Sequence, residues 1–305
     1  MKKFGEAIKE WMVSFKKNSV KPSTYDRLET SFNLMKHYAV SVVPIDQLDE
    51  DFIQNYINRL VEDGYSLSTV KKQYHLITEF MDYANVKGLI DRPYHKAVKL
   101  PSKMAIKKKA KEVISYSPAE QDKMTEVLWT FDRPAYAAGI LMLETGMRIG
   151  EVLALTWDDI DLRRKSVRVN KTFVRLGNRR KSYIQNDAKS FTSNRIIPLS
   201  KKALKLLEEL RIRNDNSEYI IHDENGDPLF YEAVRWQIKI ACREAGVPYY
   251  GQHVFRHTFA TNCYYKGCDV KRLSKLLGHS DVTITYNIYV HLFGDELEDM
   301  RLIVD

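Results

Sequence analysis

The sequence predicts a mainly α-helical fold with a small antiparallel β-sheet, divided between two domains. The chain has 305 residues, of which 44% are hydrophobic, so it is long enough for two hydrophobic cores. Apolar residues repeat with a helical period through the first hundred residues. Residues 166–199 instead alternate in the manner of short strands, and the helical period returns at Ser200.

Four helices are predicted in the first hundred residues. The first covers about residues 4–15, and the second opens at Pro22, a residue that suits the first turn of a helix. The third follows the acidic residues 49–51 and stops before Gly64. The fourth covers residues 66–86 and turns these side chains inward: Val70, Tyr74, Ile77, Phe80, Met81 and Ala84. Taken alone, this region is a small helical bundle without an evident function.

A basic linker is predicted at residues 99–115. Pro101 interrupts it, its apolar residues show little periodicity, and lysines crowd into it. Two interpretations stay open, a solvated run of charge or a flexible cationic strap that helps a clamp to close around DNA. In the second interpretation, Lys107, Lys108 and Lys109 bind DNA.

The second domain opens with a helix start signal. Ser117 is placed to cap the helix, Pro118 to occupy its first position and Glu120 its third, a pattern that satisfies two backbone amides reciprocally. The predicted domains are therefore residues 1–98 and residues 116–305. Within the second domain, helices are predicted at about 118–130 and 133–144, and short strands at 166–170, 172–176 and 195–199.

Composition narrows the class of protein. Lys and Arg number 48 against 40 Asp and Glu, and the pI of about 9.1 favours a polyanionic partner. No apolar run approaches the roughly 20 residues that span a bilayer, and the first residues lack the apolar core of a secretion signal. We therefore expect a cytoplasmic protein. Three cysteines without a C-x-x-C pair suggest neither a disulfide framework nor a zinc knuckle.

Five short motifs carry the functional signal. They are TGMRIGE at 145–151, KSFTSNRIIPL at 189–199, HVFRH at 253–257, LGHSD at 277–281 and YVH at 289–291. Each would occur by chance in unrelated proteins. In this order and spacing, however, they resemble the tyrosine recombinase (phage integrase) family, and the resemblance covers essentially the whole chain. It implies a two-domain DNA clamp that cuts and rejoins DNA through a 3′-phosphotyrosyl intermediate.

Arg148 and Arg256 are the predicted phosphate clamps. A phosphodiester gains negative charge as its pentavalent transition state forms, and an enzyme without metal must meet that charge with fixed cations. Arginine suits this role because its planar fork bonds two phosphate oxygens and keeps its proton.

Tyr289 is the predicted nucleophile. A phenol can store the energy of the broken bond as a phosphodiester and so allow religation without ATP. Tyr286, three residues earlier, is its rival. The YVH ending and the distance from His279 favour Tyr289, although that distance is one residue longer than in Xer-like members. The longer gap resembles that of conjugative-transposon integrases.

Proton transfer needs further groups, because the tyrosine must lose a proton and the departing 5′-oxygen must gain one. By resemblance, Lys189 is the general acid for the leaving oxygen. His253 is the base or a hydrogen-bond partner of the phosphate, and His279 is a further donor to it. Glu151 lies one helical turn after Arg148, and we expect it to orient a basic side chain without doing chemistry.

A metal site is the alternative interpretation of the histidines. His253 and His257 lie four residues apart, and His279 could be a third ligand. The glutamate of an H-E-x-x-H metalloprotease is missing, and no acidic cluster suits a two-metal nuclease. We therefore expect neither a metal nor another cofactor.

The resemblance also implies partners, namely double-stranded DNA at specific recombination sites and a tetramer of this chain on paired sites. Whether a directionality factor takes part stays open. The expected location is the cytoplasm, in association with the nucleoid. Two other functions are kept as alternatives, a type IB topoisomerase-like relaxing enzyme and a catalytically silent DNA-binding regulator. The six intact catalytic residues argue against the regulator.

Both ends of the chain carry expectations. The helices begin near residue 4, so an arm-binding domain like that of lambda integrase is expected to be absent. The segment 292–305 is too short for a domain but rich in apolar residues, which need a surface to bury against. Docking on its own domain and docking on a neighbouring protomer both stay open.

Overall fold

The structure is a computed structural model that describes residues 2–102, 114–177, 181–186, 194–213 and 217–289. The described elements are mainly helices with short antiparallel strands, so the predicted fold class is confirmed. The chain divides into two compact units, Met1–Lys111 with Leu176–Lys181, and Glu112–Arg175 with Ser182–Asp305.

Within the described residues of the first unit, four α-helices form, as the apolar spacing predicts. They are α1 (Phe4–Trp11), α2 (Pro22–Met35), α3 (Glu50–Glu62) and α4 (Leu67–Val86). Asp49 caps α3 by accepting from the Phe52 amide at 2.9 Å, and Ser66 caps α4 through the Thr69 amide at 3.3 Å. The first helix leaves its regular course at Met12, where a π-helical turn begins that exposes about half of Phe15.

One detail of the first core differs from the prediction. Tyr74, predicted to point inward, is only half-buried, whereas Gln73 and Leu76 lie in the core. Gln73 is accommodated because its Oε1 accepts a hydrogen bond at 2.9 Å from the Tyr56 hydroxyl. The buried face of α4 therefore includes a polar residue that an apolar pattern cannot identify.

The first helix of the second unit starts where the sequence predicts it. The Ser117 amide donates to Glu120 Oε2 at 2.8 Å, and the Glu120 amide donates to Ser117 Oγ at 3.3 Å. The helices of this unit are α5 (Pro118–Leu128), α6 (Pro134–Thr145), α7 (Ile149–Leu153), α8 (Lys201–Arg213), α9 (Tyr231–Glu244), α10 (His253–Tyr265), α11 (Val270–Leu277) and α12 (Val282–Tyr289). Helix α6 is buried on nearly every side and forms the centre of the core.

The strands form two small antiparallel sheets within the described residues, where the sequence predicted one. They are β1 (Ile160–Asp161), β2 (Ser166–Val169), β3 (Thr172–Leu176), β4 (Lys181–Gln185) and β5 (Arg195–Pro198). One sheet has the order β1-β2-β5, and β3 pairs with β4 in the other. The separation arises because β2 pairs with the distant β5, opposing Val169 to Arg195, while β3 pairs with the strand that follows it.

Among the described residues, no helix is both long enough and apolar enough to cross a membrane.

Candidate active site

The turn between α6 and α7 places Arg148 at the start of a helix. Gly146 ends α6 with a φ of 65°, in the left-handed region that favours glycine. A Cβ at this position would collide with the ring of Phe259, so the close approach of the chain also requires glycine. Arg148 follows as the N-cap residue of α7.

Arg148 is held from one side by Glu151. Its backbone amide donates to Glu151 Oε2 at 2.8 Å, and its Nη1 donates to Oε1 at 2.9 Å. The side chain of Arg148 is 39% exposed, whereas that of Glu151 is 7% exposed. The arginine therefore reaches the surface while its carboxylate partner stays buried.

Arg195, at the start of β5, is the second partner of Glu151. Its Nη1 and Nη2 donate to Glu151 Oε1 at 3.1 Å and Oε2 at 2.8 Å, a bidentate pair, and its side chain is 6% exposed. Its Nε donates to the Leu276 carbonyl at 2.7 Å. Arg195 belongs to the motif KSFTSNRIIPL, but no role was predicted for it. A charged residue at an inward position of a strand is the signal that could have identified it.

Glu151 is ionised by this arrangement. Burial alone would raise the pKa of its carboxyl, but the hydrogen bonds and charge of Arg195, together with the charge of Arg148, lower that pKa to about 2. The carboxylate thus carries a full negative charge that two arginines share.

Arg256, on α10, is buried against the ends of two helices. Its Nη1 donates to the Gly146 carbonyl at 2.9 Å, and its Nη2 donates to the Leu277 carbonyl at 2.6 Å. These carbonyls terminate α6 and α11, where the helix dipole is negative. Arg195 and Arg256 are therefore anchored on the carbonyls of consecutive residues at the end of α11.

His279 follows a left-handed glycine, Gly278, with a φ of 66°. Its Nδ1 lies 2.7 Å from the hydroxyl of Thr285, a fully buried residue. Burial lowers the pKa of His279 to about 4, and the charges of Arg256 and Arg148 act in the same direction. His279 is therefore neutral at neutral pH and lies within the field of the arginines.

Two more histidines project from α10. His253 is an exposed residue at the start of α10. Partial loss of water around its imidazole lowers the pKa of His253, and the charges of Arg256 and Arg148 lower it further. His257 is half-buried, and burial followed by the charge of His253 lowers its pKa to about 4. Both are thus neutral at neutral pH and able to act as proton acceptors.

The structure brings four of the predicted site residues together, since the charges of Arg148 and Arg256 act on both His253 and His279. Tyr289 is the last residue of α12, and its side chain lies outside the described structure. The remaining predicted residues lie outside the described residues, namely Lys189, Lys107, Lys108 and Lys109. The segment 292–305 lies outside them as well.

Chemically, the cluster is a set of fixed cations and neutral imidazoles. The cluster holds three arginines and one carboxylate, which Arg148 and Arg195 share, so the site carries net positive charge. It therefore suits an anionic ligand that gains charge during reaction. In the part of the chain that the structure describes, no three His, Cys, Asp or Glu side chains are placed to hold a metal ion.

Comparisons with known proteins agree along the chain. Residues 117–296 match the Phage integrase family, and residues 3–100 match the Phage integrase SAM-like domain. A tyrosine recombinase XerC-like protein of Caldanaerobacter subterraneus subsp. tengcongensis is 29% identical over 94% of this chain and 79% of its own length. The ICEBs1 integrase of Bacillus subtilis is 26% identical over 81% of this chain and 75% of its own.

Solved structures share the fold. The Tn1549 transposon integrase in complex with transposon right end DNA has a TM-score of 0.82 at 18% identity, over 100% of both chains. A lambda integrase dimer bound to a COC′ core site has a TM-score of 0.66 at 17% identity, over 93% of this chain and 97% of its own.

Proposed function

The chain belongs to the phage integrase family and is a site-specific recombinase, and we propose that it cuts and rejoins duplex DNA through a 3′-phosphotyrosyl bond at Tyr289. The observation that supports this most is the group of arginines around Glu151 and His279. It offers fixed positive charge, the partly exposed guanidinium of Arg148 and neutral imidazoles in one place.

In the proposed reaction, the Tyr289 oxygen attacks the phosphorus and displaces the 5′-oxygen of the next nucleotide. Arg148 and Arg256 stabilise the negative charge on the phosphate oxygens. Lys189 gives a proton to the departing oxygen, and His253 takes the proton of the tyrosine or bonds the phosphate. His279 donates to the same phosphate from Nε2 while Thr285 holds its Nδ1.

The proposed partners follow from the relatives. A lambda integrase tetramer has been solved on a Holliday junction, with a fold that matches this chain at a TM-score of 0.66. We propose that this chain likewise binds specific double-stranded sites and assembles as a tetramer, in the cytoplasm at the nucleoid. In this proposal residues 1–98 and 116–305 are separate domains that embrace the DNA, joined by a linker whose Lys107, Lys108 and Lys109 contact phosphates.

The test is covalent capture on a library of nicked duplexes with randomised sequence. The nick lets the short 5′-hydroxyl product diffuse away, so the 3′-phosphotyrosyl product accumulates. Wild-type protein is expected to recover one related set of sequences and to be joined to them at Tyr289 by mass spectrometry. A relaxing enzyme would recover unrelated sequences, and a silent regulator would recover none.

The matched variants are Tyr289→Phe and Tyr286→Phe. Tyr286 lies on the same helix and is 48% exposed. Tyr289→Phe is expected to bind the recovered sites without forming the adduct, and Tyr286→Phe to retain at least part of the activity. Loss of the adduct in Tyr286→Phe and its retention in Tyr289→Phe would show that the nucleophile was assigned wrongly.

A further inference from the structure

Arg195 carries a buried positive charge that the proposed reaction leaves without a role. We propose that it is a positioning residue, which takes up the charge of Glu151 so that Arg148 keeps its own charge for the phosphate. This inference rests on the proposed function of the site. In this proposal Arg195 controls the net charge that Arg148 offers to the phosphate, and Arg195 itself does not contact DNA.

The contacts of Arg195 explain why it acts through other residues. Its side chain is 6% exposed, and its guanidinium donates twice to Glu151 and once to the Leu276 carbonyl. A side chain so enclosed cannot reach a phosphate on the surface of the protein. Arg148, by contrast, is 39% exposed.

The sharing of one oxygen is the central observation. Glu151 Oε1 accepts from Arg148 Nη1 at 2.9 Å and from Arg195 Nη1 at 3.1 Å, and Oε2 accepts from Arg195 Nη2 at 2.8 Å. The two arginines and the carboxylate together carry one net positive charge. If Arg195 were neutral, Arg148 and Glu151 would form a pair with no net charge, and the bidentate grip of the carboxylate would pass to Arg148.

The surroundings fix Arg195 in place. A Cβ on Gly278 would lie 2.9 Å from Arg195 Nη1, so the turn before His279 is packed directly on the guanidinium. Arg195 opposes Val169 across the β2–β5 pair, which fixes its backbone. The residue therefore links the strand that follows the proposed general acid to Glu151 and to the His279 turn.

The experiment measures adduct formation on the nicked sequences recovered with wild-type protein, for Arg195→Gln and for the double variant Arg195→Gln with Glu151→Gln. Arg195→Gln is expected to slow adduct formation at least tenfold while DNA binding stays within about twofold. The double variant is expected to be faster than Arg195→Gln, because removal of the carboxylate charge frees Arg148 again. A purely structural role predicts the reverse, since the double variant loses more buried contacts. A double variant no faster than Arg195→Gln would overturn the proposal, as would an Arg195→Gln variant that cleaves at the wild-type rate.

Two further measurements keep the inference separate from the proposed function. Binding of inorganic phosphate, followed by thermal shift, should weaken in Arg195→Gln and recover in the double variant even if no DNA is cleaved. Equal phosphate binding in all three proteins would contradict the role of Arg195, whereas the absence of a wild-type adduct would contradict only the recombinase mechanism.

If Arg195→Gln does not fold, Arg195→Lys keeps the charge without the planar fork. It should stay closer to wild type in both assays, and an adduct rate as low as that expected for Arg195→Gln would count against the charge argument.

Discussion

His279 Nδ1 and Thr285 Oγ1 lie 2.7 Å apart, and Thr285 is fully buried. Thr285 precedes Tyr289 by four residues on α12, about one helical turn. This hydrogen bond therefore joins the histidine of the arginine cluster to the helix that ends at the proposed nucleophile. It also directs Nε2 of the imidazole away from Thr285, toward the position where we place the phosphate.

Replacement of Thr285 by Val should test this connection, because valine keeps the shape but lacks the hydroxyl. We expect several-fold slower adduct formation and a free energy of unfolding lower by about 1–3 kcal/mol, since a buried imidazole nitrogen loses its partner. Thr283→Val, at an exposed position of the same helix, is the matched control. Equal adduct rates in the two variants would show that the hydrogen bond does not position His279.

The stability of the protein should fall as the pH decreases from 6.5 toward 4. The pKa values of His257 and His279 lie at about 4 in the folded protein and at 6.5 in an unfolded chain. The folded state therefore favours the neutral imidazoles. Their contribution to the free energy of unfolding is complete above pH 6.5 and is lost between pH 6.5 and 4, because the histidines of the unfolded chain take up protons in this range. Urea unfolding at pH 7 and pH 5 measures the difference.

The control for this pH effect is His257→Gln, which removes one of the two titrating groups. Its loss of stability between pH 7 and pH 5 should be smaller than that of the wild type. A variant that loses as much stability as the wild type would show that other groups control the acid response.

Gly278 and Gly246 allow backbone strain to be separated from packing. Both have left-handed φ angles, 66° and 64°, but a Cβ on Gly246 would meet nothing within 4 Å, whereas one on Gly278 would meet Arg195. Alanine should cost roughly 1 kcal/mol of stability at either site. Gly278→Ala should cost more and also slow adduct formation, because Arg195 is held by Glu151 and cannot move aside easily. Equal effects of the two substitutions would argue against a packed Arg195.

Cleavage should continue in excess EDTA without an added nucleotide, because the transition-state charge is met by Arg148 and Arg256 and religation uses the energy of the phosphotyrosine. The measurement is adduct formation on the nicked duplex with and without chelator. A strict requirement for Mg²⁺ in the cleavage step would contradict the mechanism.

Binding should weaken steeply with salt if the linker lysines contact phosphates. Each phosphate neutralised by a cation contributes about 0.9 to the slope of log affinity against log salt. Replacement of Lys107, Lys108 and Lys109 with Gln should lower that slope and leave the preferred sequence unchanged. An unaltered slope would show that the linker charge is merely solvated.

The features of the fold that the sequence predicted are those set by residues close together in the chain. Helix caps such as Ser117 with Glu120 and Asp49 ahead of α3 depend on neighbouring residues, so the pattern of the sequence is sufficient to place them. Tyr74 packs against the first core from a half-buried position, but the burial of Gln73 was not predicted, because this polar residue is stabilised by Tyr56, from another helix. Such a partner is fixed only by tertiary packing.

In the site, too, some residues are identified by local sequence motifs and others only by tertiary contacts. Motif order led to the prediction of Arg148, His253, Arg256 and His279. The structure gathers these four residues in one place, and their catalytic roles stay predictions. The pairing of Arg195 with Glu151 was missed because the two residues are 44 positions apart. The sequence around one of them does not predict contact with the other. Lys189 and the side chain of Tyr289 remain predictions, since they lie outside the described structure.

The anchoring of two arginines on the end of α11 also limits when the arginine cluster can assemble during synthesis of the chain. Arg195 and Arg256 bind the carbonyls of Leu276 and Leu277, which are made 81 and 21 residues later. A nascent chain that has not yet released α11 from the ribosome therefore has its first unit and most of its second core available, but it lacks an assembled arginine cluster. Assembly of the site thus follows the order of synthesis, because α11 and then α12, which ends at the proposed nucleophile Tyr289, are the last described helices to emerge.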